Sequence, residues 1–203
     1  KDAGKVLDEF PCPHCGAEVT KRNMDRKFQT LHDKAIGETI RQAVQVPVLI
    51  NYSVGKKRFE KAPDEFDLAL IRRIEEMDIP HWFPTDRMPD GDESRRNDDI
   101  GLSHVHHFYT KRNLGVMAAL AARAVRDGLT MAAATLWALT GTGGIATKQS
   151  RFRYDSRNTS NTAGGTLSGT LYVASLSKEG QAVDLIERRI RALLAGVRAL
   201  GSS

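Results

Sequence analysis

Cysteine is scarce in this chain of 203 residues: there are two, and both fall within Cys12-Pro13-His14-Cys15. A disulfide framework running through the fold is therefore excluded, and in a reducing compartment such a pair reads as a metal knuckle or a redox couple. Long apolar runs are missing too. Nothing approaches the ~18 uninterrupted apolar residues of a membrane span, and Lys1-Asp2-Ala3-Gly4-Lys5 does not open a signal peptide. The expectation is a cytoplasmic protein with no membrane partner. No HExxH metal-hydrolase motif and no internal repeat occurs. There is no initiator methionine, and the chain ends on Gly201-Ser202-Ser203, as an excised segment of a longer protein would.

What is present is ordinary for a globular chain, 40% hydrophobic and 27% charged, and long enough to bury a real core. The net charge of +5 and a pI near 9.3 direct attention to polyanionic partners. Patterning predicts an α+β domain over residues 31–203 preceded by a small zinc-knuckle-like unit over residues 1–30. Residues 44–52 (VQVPVLINY) are β-branched enough for a strand that Pro47 confines to an edge, with a turn at Gly55 and a return over residues 58–61. Asp64 is placed to cap a helix reaching Met77, with Phe66, Leu70, Ile74 and Met77 at helical spacing. Residues 84–101 read as a long polar loop. Thr110 caps a second helix with a stripe of Leu114, Met117, Leu120, Ala121 and Ala124, ended by Gly128. An Ala-rich helix around residues 131–139 follows, and the Gly141–Gly144 run stops it. Residues 167–176 (LSGTLYVASL) read as a strand. A last helix from Ala182 carries Val183, Ile186, Ile190, Leu193, Val197 and Leu200 inward.

Three constellations carry chemistry. Cys12 and Cys15 have thiolate spacing suited to one zinc ion, with Gly16 free to adopt the positive φ that aims N–H groups at sulfur. Structural zinc takes four ligands, so either His14 or the distant His104, His106 and His107 would complete the set, or the missing pair lies outside the chain. The second is Ser103-His104-Val105-His106-His107. On an extended strand His104 and His106 would share a face, able to hold a metal with Asp98 or Asp99 as in a metal-dependent hydrolase. The third is residues 148–157, where Lys148, Arg151, Arg153 and Arg157 alternate with Phe152 and Tyr154, a composition suited to phosphate contacts and stacking. Arg95 and Arg96, with Arg87 and Asn97, carry side chains of the type that read base edges.

Read together, PCPHCGAEV (residues 11–19), the long run over residues 46–76, HWFPTDRM (81–88), RRNDDIGLSHVHHFYTKRNL (95–114) and LSGTLYVASLS (167–177) resemble the central region of large prokaryotic amino-group DNA methyltransferases. HFYTKRNL (107–114) is similar to the FxTxRQL helix start of that family. The resemblance implies a target-recognition or scaffold insert of an S-adenosylmethionine-dependent enzyme, with double-stranded DNA and the remainder of the methyltransferase chain as partners. It also implies a second CxxC upstream to complete the zinc site. The family's Asp-Pro-x-x-Gly-type cofactor motif and its Asp-Pro-Pro-Tyr or Asp-Pro-Pro-Phe catalytic loop do not occur here, so no catalytic residue carries over. A metal-dependent hydrolase centred on the histidines, or a zinc-stabilised interaction module, are the alternatives from other classes.

Overall fold

The computed structural model describes residues 9–20, 22–152 and 165–201. Within them the chain is α+β, with three two-stranded antiparallel hairpins followed by five α-helices. The hairpins pair β1 (Glu9–Pro11) with β2 (Glu18–Thr20), β3 (Phe28–Asp33) with β4 (Glu38–Ala43), and β5 (Ile50–Val54) with β6 (Lys57–Lys61). The helices are α1 (Glu65–Glu76), α2 (Asp92–Asp98), α3 (Lys111–Arg126), α4 (Leu129–Thr142) and α5 (Ala182–Gly201), with a 3-10 turn over Val105–Phe108. Among the described residues no helix is long and apolar enough to cross a membrane.

Local chemistry explains most of these elements. Asp64 accepts from the Asp67 backbone N–H while the Asp67 side chain accepts from Asp64 N–H, a reciprocal cap that starts α1. Thr110 accepts from Asn113 N–H at the start of α3. The main core lies where α3, α4 and α5 meet, around Ala138, Leu139, Ala182 and Ile186, with Met117, Leu120 and Ala121 of the expected α3 stripe packed against it. Asn113, 1% exposed, pins this junction: its Nδ2 donates to Ala146 and Gly180 carbonyls and its Oδ1 accepts from Ala182 N–H. A second cluster gathers Leu102, Phe108 and Val173.

Four expectations are corrected. The strand expected from residue 44 begins at Ile50; Pro47 has no N–H to give a ladder, and Val46 and Val48 stay exposed. Residues 84–101 are not one loop, because α2 forms inside them, its first turn carrying Asp92 and Glu93 and its last Arg95 and Arg96, as the helix dipole favours. Residues 167–176 form no strand: Ser168-Gly169 turn, with Gly169 at φ 72°, and Val173 instead drops into the second core cluster. The helical stripes are also less buried than their spacing suggests, since Phe66 and Met77 of α1 and Val183, Val197 and Leu200 of α5 are exposed.

The β3–β4 hairpin docks on the segment that precedes α3. Ala43 N–H donates to Ile100 O at 3.0 Å, and Gln42 Nε2 donates to Gly101 O at 2.9 Å. Gly101 sits at φ 77°, and a Cβ there would collide with Arg41 O and lie 2.7 Å from Gln42 Cα. Only glycine admits this approach.

Candidate functional site

The docked hairpin carries Asp33 to the histidine segment. His106 Nε2 and His107 Nε2 each lie 2.8 Å from the same oxygen, Asp33 Oδ2, while Asp33 Oδ1 caps the turn by accepting from Ala35 N–H at 2.9 Å. All three side chains are at least nine-tenths buried. The expected extended strand is corrected here: Val105–Phe108 is a 3-10 turn, so the adjacent His106 and His107 converge on one acceptor instead of pointing to opposite faces. His104 does not bond Asp33; its ring meets His107 edge-on at 5.1 Å between centroids, and its Nδ1 lies 3.0 Å from Ser103 Oγ. Neither Asp98 nor Asp99 joins the cluster, and Asp98 is held by Arg87 through two hydrogen bonds.

Burial alone would push the Asp33 carboxyl up, but hydrogen bonds from His106 and His107, with Ala35 N–H, outweigh it and hold the group at about 2. Burial lowers His107 below the ordinary imidazole value, against the pull of Asp33. Asp33 is thus a carboxylate, an acceptor only, and both Nε2 atoms must carry protons toward it. Backbone contacts agree for His107, whose Nδ1 accepts from Ser103 N–H and His104 N–H at 3.3 Å each. His106 Nδ1 is buried with no partner among the described residues.

Asp33, His106 and His107 form a possible metal-binding group, with one ligand atom from each within 4.8 Å of the others. A metal-bound histidine normally donates its other ring N–H to an acceptor. His107 faces two donors there, so ligation through Nε2 would require those contacts to be remade. As arranged, the donor set suits a hydrogen-bonded clamp between hairpin and turn better than a hydrolase metal centre.

Cys12 and Cys15 occupy the β1–β2 turn, with Gly16 at φ 73° as the knuckle pattern requires. Hydrogen bonds from the His14 and Cys15 backbone N–H groups lower the Cys12 thiol below its ordinary value, which prepares it as a thiolate ligand. A structural zinc ion takes four ligands, and this pair offers two. Among the described residues no third ligand joins the pair, and neither His104 nor His106 does.

The expected basic stretch is divided. Lys148 is drawn inward: its backbone N–H donates to Phe108 O at 2.7 Å, and burial lowers its ammonium to about 8 although Glu75 and Glu179 pull it upward. Arg151 Nε donates to Gly165 O, Phe152 N–H donates to Leu176 O, and both residues are half-buried. Arg153, Tyr154 and Arg157 lie outside the described residues. Arg95 and Arg96 stay exposed but pair back along α2 with Asp92 and Glu93.

Sequence reasoning passed over a different basic element. The β5–β6 hairpin is exposed along its length except at its base, where Ile50 pairs with Lys61, and Lys56, Lys57 and Arg58 sit at its tip beyond Gly55, φ 60°. Tyr52 and Phe59 face each other across the ladder, stacked at 5.5 Å and both 41% exposed. The signal was in the chain: aromatics placed to pair across a glycine turn, with three successive cations at its apex.

Comparison of the chain with protein-family models, with curated proteins and with solved structures finds no match.

Proposed function

We propose that this chain is the DNA-recognition or scaffold region of an S-adenosylmethionine-dependent, amino-group DNA methyltransferase. The observation that carries the reading is the exposed β5–β6 ribbon with its cationic tip and exposed aromatic pair. A two-stranded ribbon fits the ~12 Å major groove, and five residues of strand reach about 17 Å at ~3.4 Å each. Lys56, Lys57 and Arg58 supply phosphate contacts that position the ribbon without reading sequence. The order of the segments resembling the methyltransferases and the net charge of +5 support the same reading.

The residues present do not fit S-adenosylmethionine. Gly141 and Thr142 lie inside α4, Gly143 caps it, and the Gly141 carbonyl accepts from Arg189. That is a helix end, not the strand-to-helix glycine turn that cradles a nucleotide. Methyl transfer therefore belongs to the remainder of the methyltransferase chain.

Fluorescence anisotropy with labelled duplex DNA at low salt tests the proposal. Binding is expected without added cofactor and should weaken when Lys56, Lys57 and Arg58 are replaced by alanine. A folded chain that leaves the duplex signal unchanged refutes it.

A further inference from the structure

We propose that Asn51 of the β5–β6 ribbon reads adenine in the major groove, from the polar face it shares with Ser53, Arg58 and Glu60. Asn51 reaches a base only if the ribbon meets duplex DNA as proposed above, so the assignment rests on that reading. Side chains alternate along a strand, and the register divides the hairpin into two unlike faces. On one, Tyr52 opposes Phe59 and Val54 opposes Lys57; on the other, Asn51 opposes Glu60 and Ser53 opposes Arg58. All of these residues are exposed. A base edge in the major groove is a row of hydrogen-bond donors and acceptors, and the polar face is the one that answers it. The stacked Tyr52–Phe59 pair then stiffens the ribbon from behind. Reach agrees. Val54 stands three residues beyond Asn51, about 10 Å at ~3.4 Å each. With the tip cations on the phosphates of one wall, Asn51 therefore still lies over the base edges of a groove ~12 Å wide.

The amide chemistry selects the base. Asn51 Nδ2 donates to Glu60 Oε1 at 3.3 Å, a bond across the ladder that orients the amide. Its carbonyl oxygen and second N–H make no side-chain hydrogen bond among the described residues. An acceptor beside a donor matches adenine, whose N6 amino group donates and whose N7 accepts, and asparagine takes both at once. Guanine sets O6 where adenine has its amino group, lone pair against lone pair with the Asn51 carbonyl. Cytosine offers the donor without the neighbouring acceptor, and thymine an acceptor without the donor. The other asparagine expected to read bases, Asn97 of α2, is 3% exposed and commits its amide N–H groups to the Glu93 and Leu171 carbonyls at 3.0 Å each. It is a structural tie, so the amide reader is Asn51.

The test is selection from a pool of duplexes with a randomised central block, followed by anisotropy on the enriched duplex. Wild type should enrich adenine at a fixed position, and changing that A·T pair to G·C should weaken binding about tenfold, the discrimination of one bidentate contact. Asn51→Ala should bring the two duplexes to within about twofold of each other. It should also keep the salt dependence of the wild type, because no phosphate contact is lost and the hairpin still delivers its tip. Lys56→Ala should do the reverse, weakening both duplexes alike with the preference kept. Duplex binding with no adenine enriched overturns the Asn51 assignment alone. A preference that survives Asn51→Ala overturns it as well, and so does an equal weakening of both duplexes by that variant. Loss of all duplex binding by the folded wild-type chain overturns the ribbon reading together with it.

Discussion

Replacing Asp33 with alanine removes the acceptor shared by two buried imidazoles, and the structure gives the scale of the damage. His106 and His107 are 8% and 5% exposed, so neither Nε2–H finds water once Asp33 Oδ2 is gone. Each buried donor left unsatisfied costs about 1–3 kcal/mol, which sets the loss at about 2–6 kcal/mol. Asp33→Asn should be milder. Its carbonyl oxygen can still accept from both rings, but its Nδ2 then opposes Ala35 N–H where Asp33 Oδ1 now accepts. A hydrogen bond to a charged acceptor is lost there, about 1.5–3 kcal/mol. The damage should be local first, because the hairpin is otherwise tied to the segment before α3 by Ala43 N–H on Ile100 O and Gln42 on Gly101 O. Hydrogen exchange followed by mass spectrometry should show residues 28–43 and 103–108 losing protection before α3, α4 and α5 do, with urea denaturation giving the global cost. Unchanged protection in that hairpin and a urea midpoint shift worth under ~0.5 kcal/mol in Asp33→Ala would refute the clamp.

Acid should weaken the clamp in two stages. Asp33 is held at about 2, below its ordinary 3.8, and His107 lies below its ordinary 6.5. Both shifts stabilise the fold above the unfolded values, His107 losing its share as pH drops below 6.5 and Asp33 losing on the order of 2 kcal/mol as pH falls from 3.8 through 2. Because the Asp33 share is lost only below 3.8, the stability gap between wild type and Asp33→Asn should narrow as pH falls from 3.8 to about 2, and a gap constant over that window would contradict this. Asn113→Ala removes all three side-chain bonds at the helix junction; a loss of about 2–4 kcal/mol in denaturation is expected, and one below ~0.5 kcal/mol would show that the junction does not depend on it. For the knuckle, cobalt substitution should give thiolate charge-transfer absorption that Cys12→Ser abolishes and His106→Ala preserves; the reverse pattern would assign the metal to the histidine cluster.

What was legible in the sequence was local. Asp64 with Asp67, and Thr110 with Asn113, are caps written within four residues, and both helices start where those caps place them. The Gly55 turn and the return strand to Lys61 follow from residue type alone. What was illegible depended on partners far away in the chain. Asp33 lies 73 and 74 residues from the histidines it joins, and nothing in HVHHF announces a 3-10 turn over an alternating strand. LSGTLYVASL has strand composition but no neighbouring strand edge, so burial of Val173 decides its path. Lys148 looked like one cation among several, and only packing shows its ammonium withdrawn from water.

The central claim is that the β5–β6 tip meets DNA phosphates, and its most direct test is the salt dependence of duplex binding in wild type and in the Lys56→Ala/Lys57→Ala/Arg58→Ala variant. Each phosphate contact contributes a log–log slope of about −0.9, so removal of three should flatten the slope by about 2.7 on every duplex sequence alike. An identical slope in the two proteins, or a loss confined to particular sequences, would contradict the account.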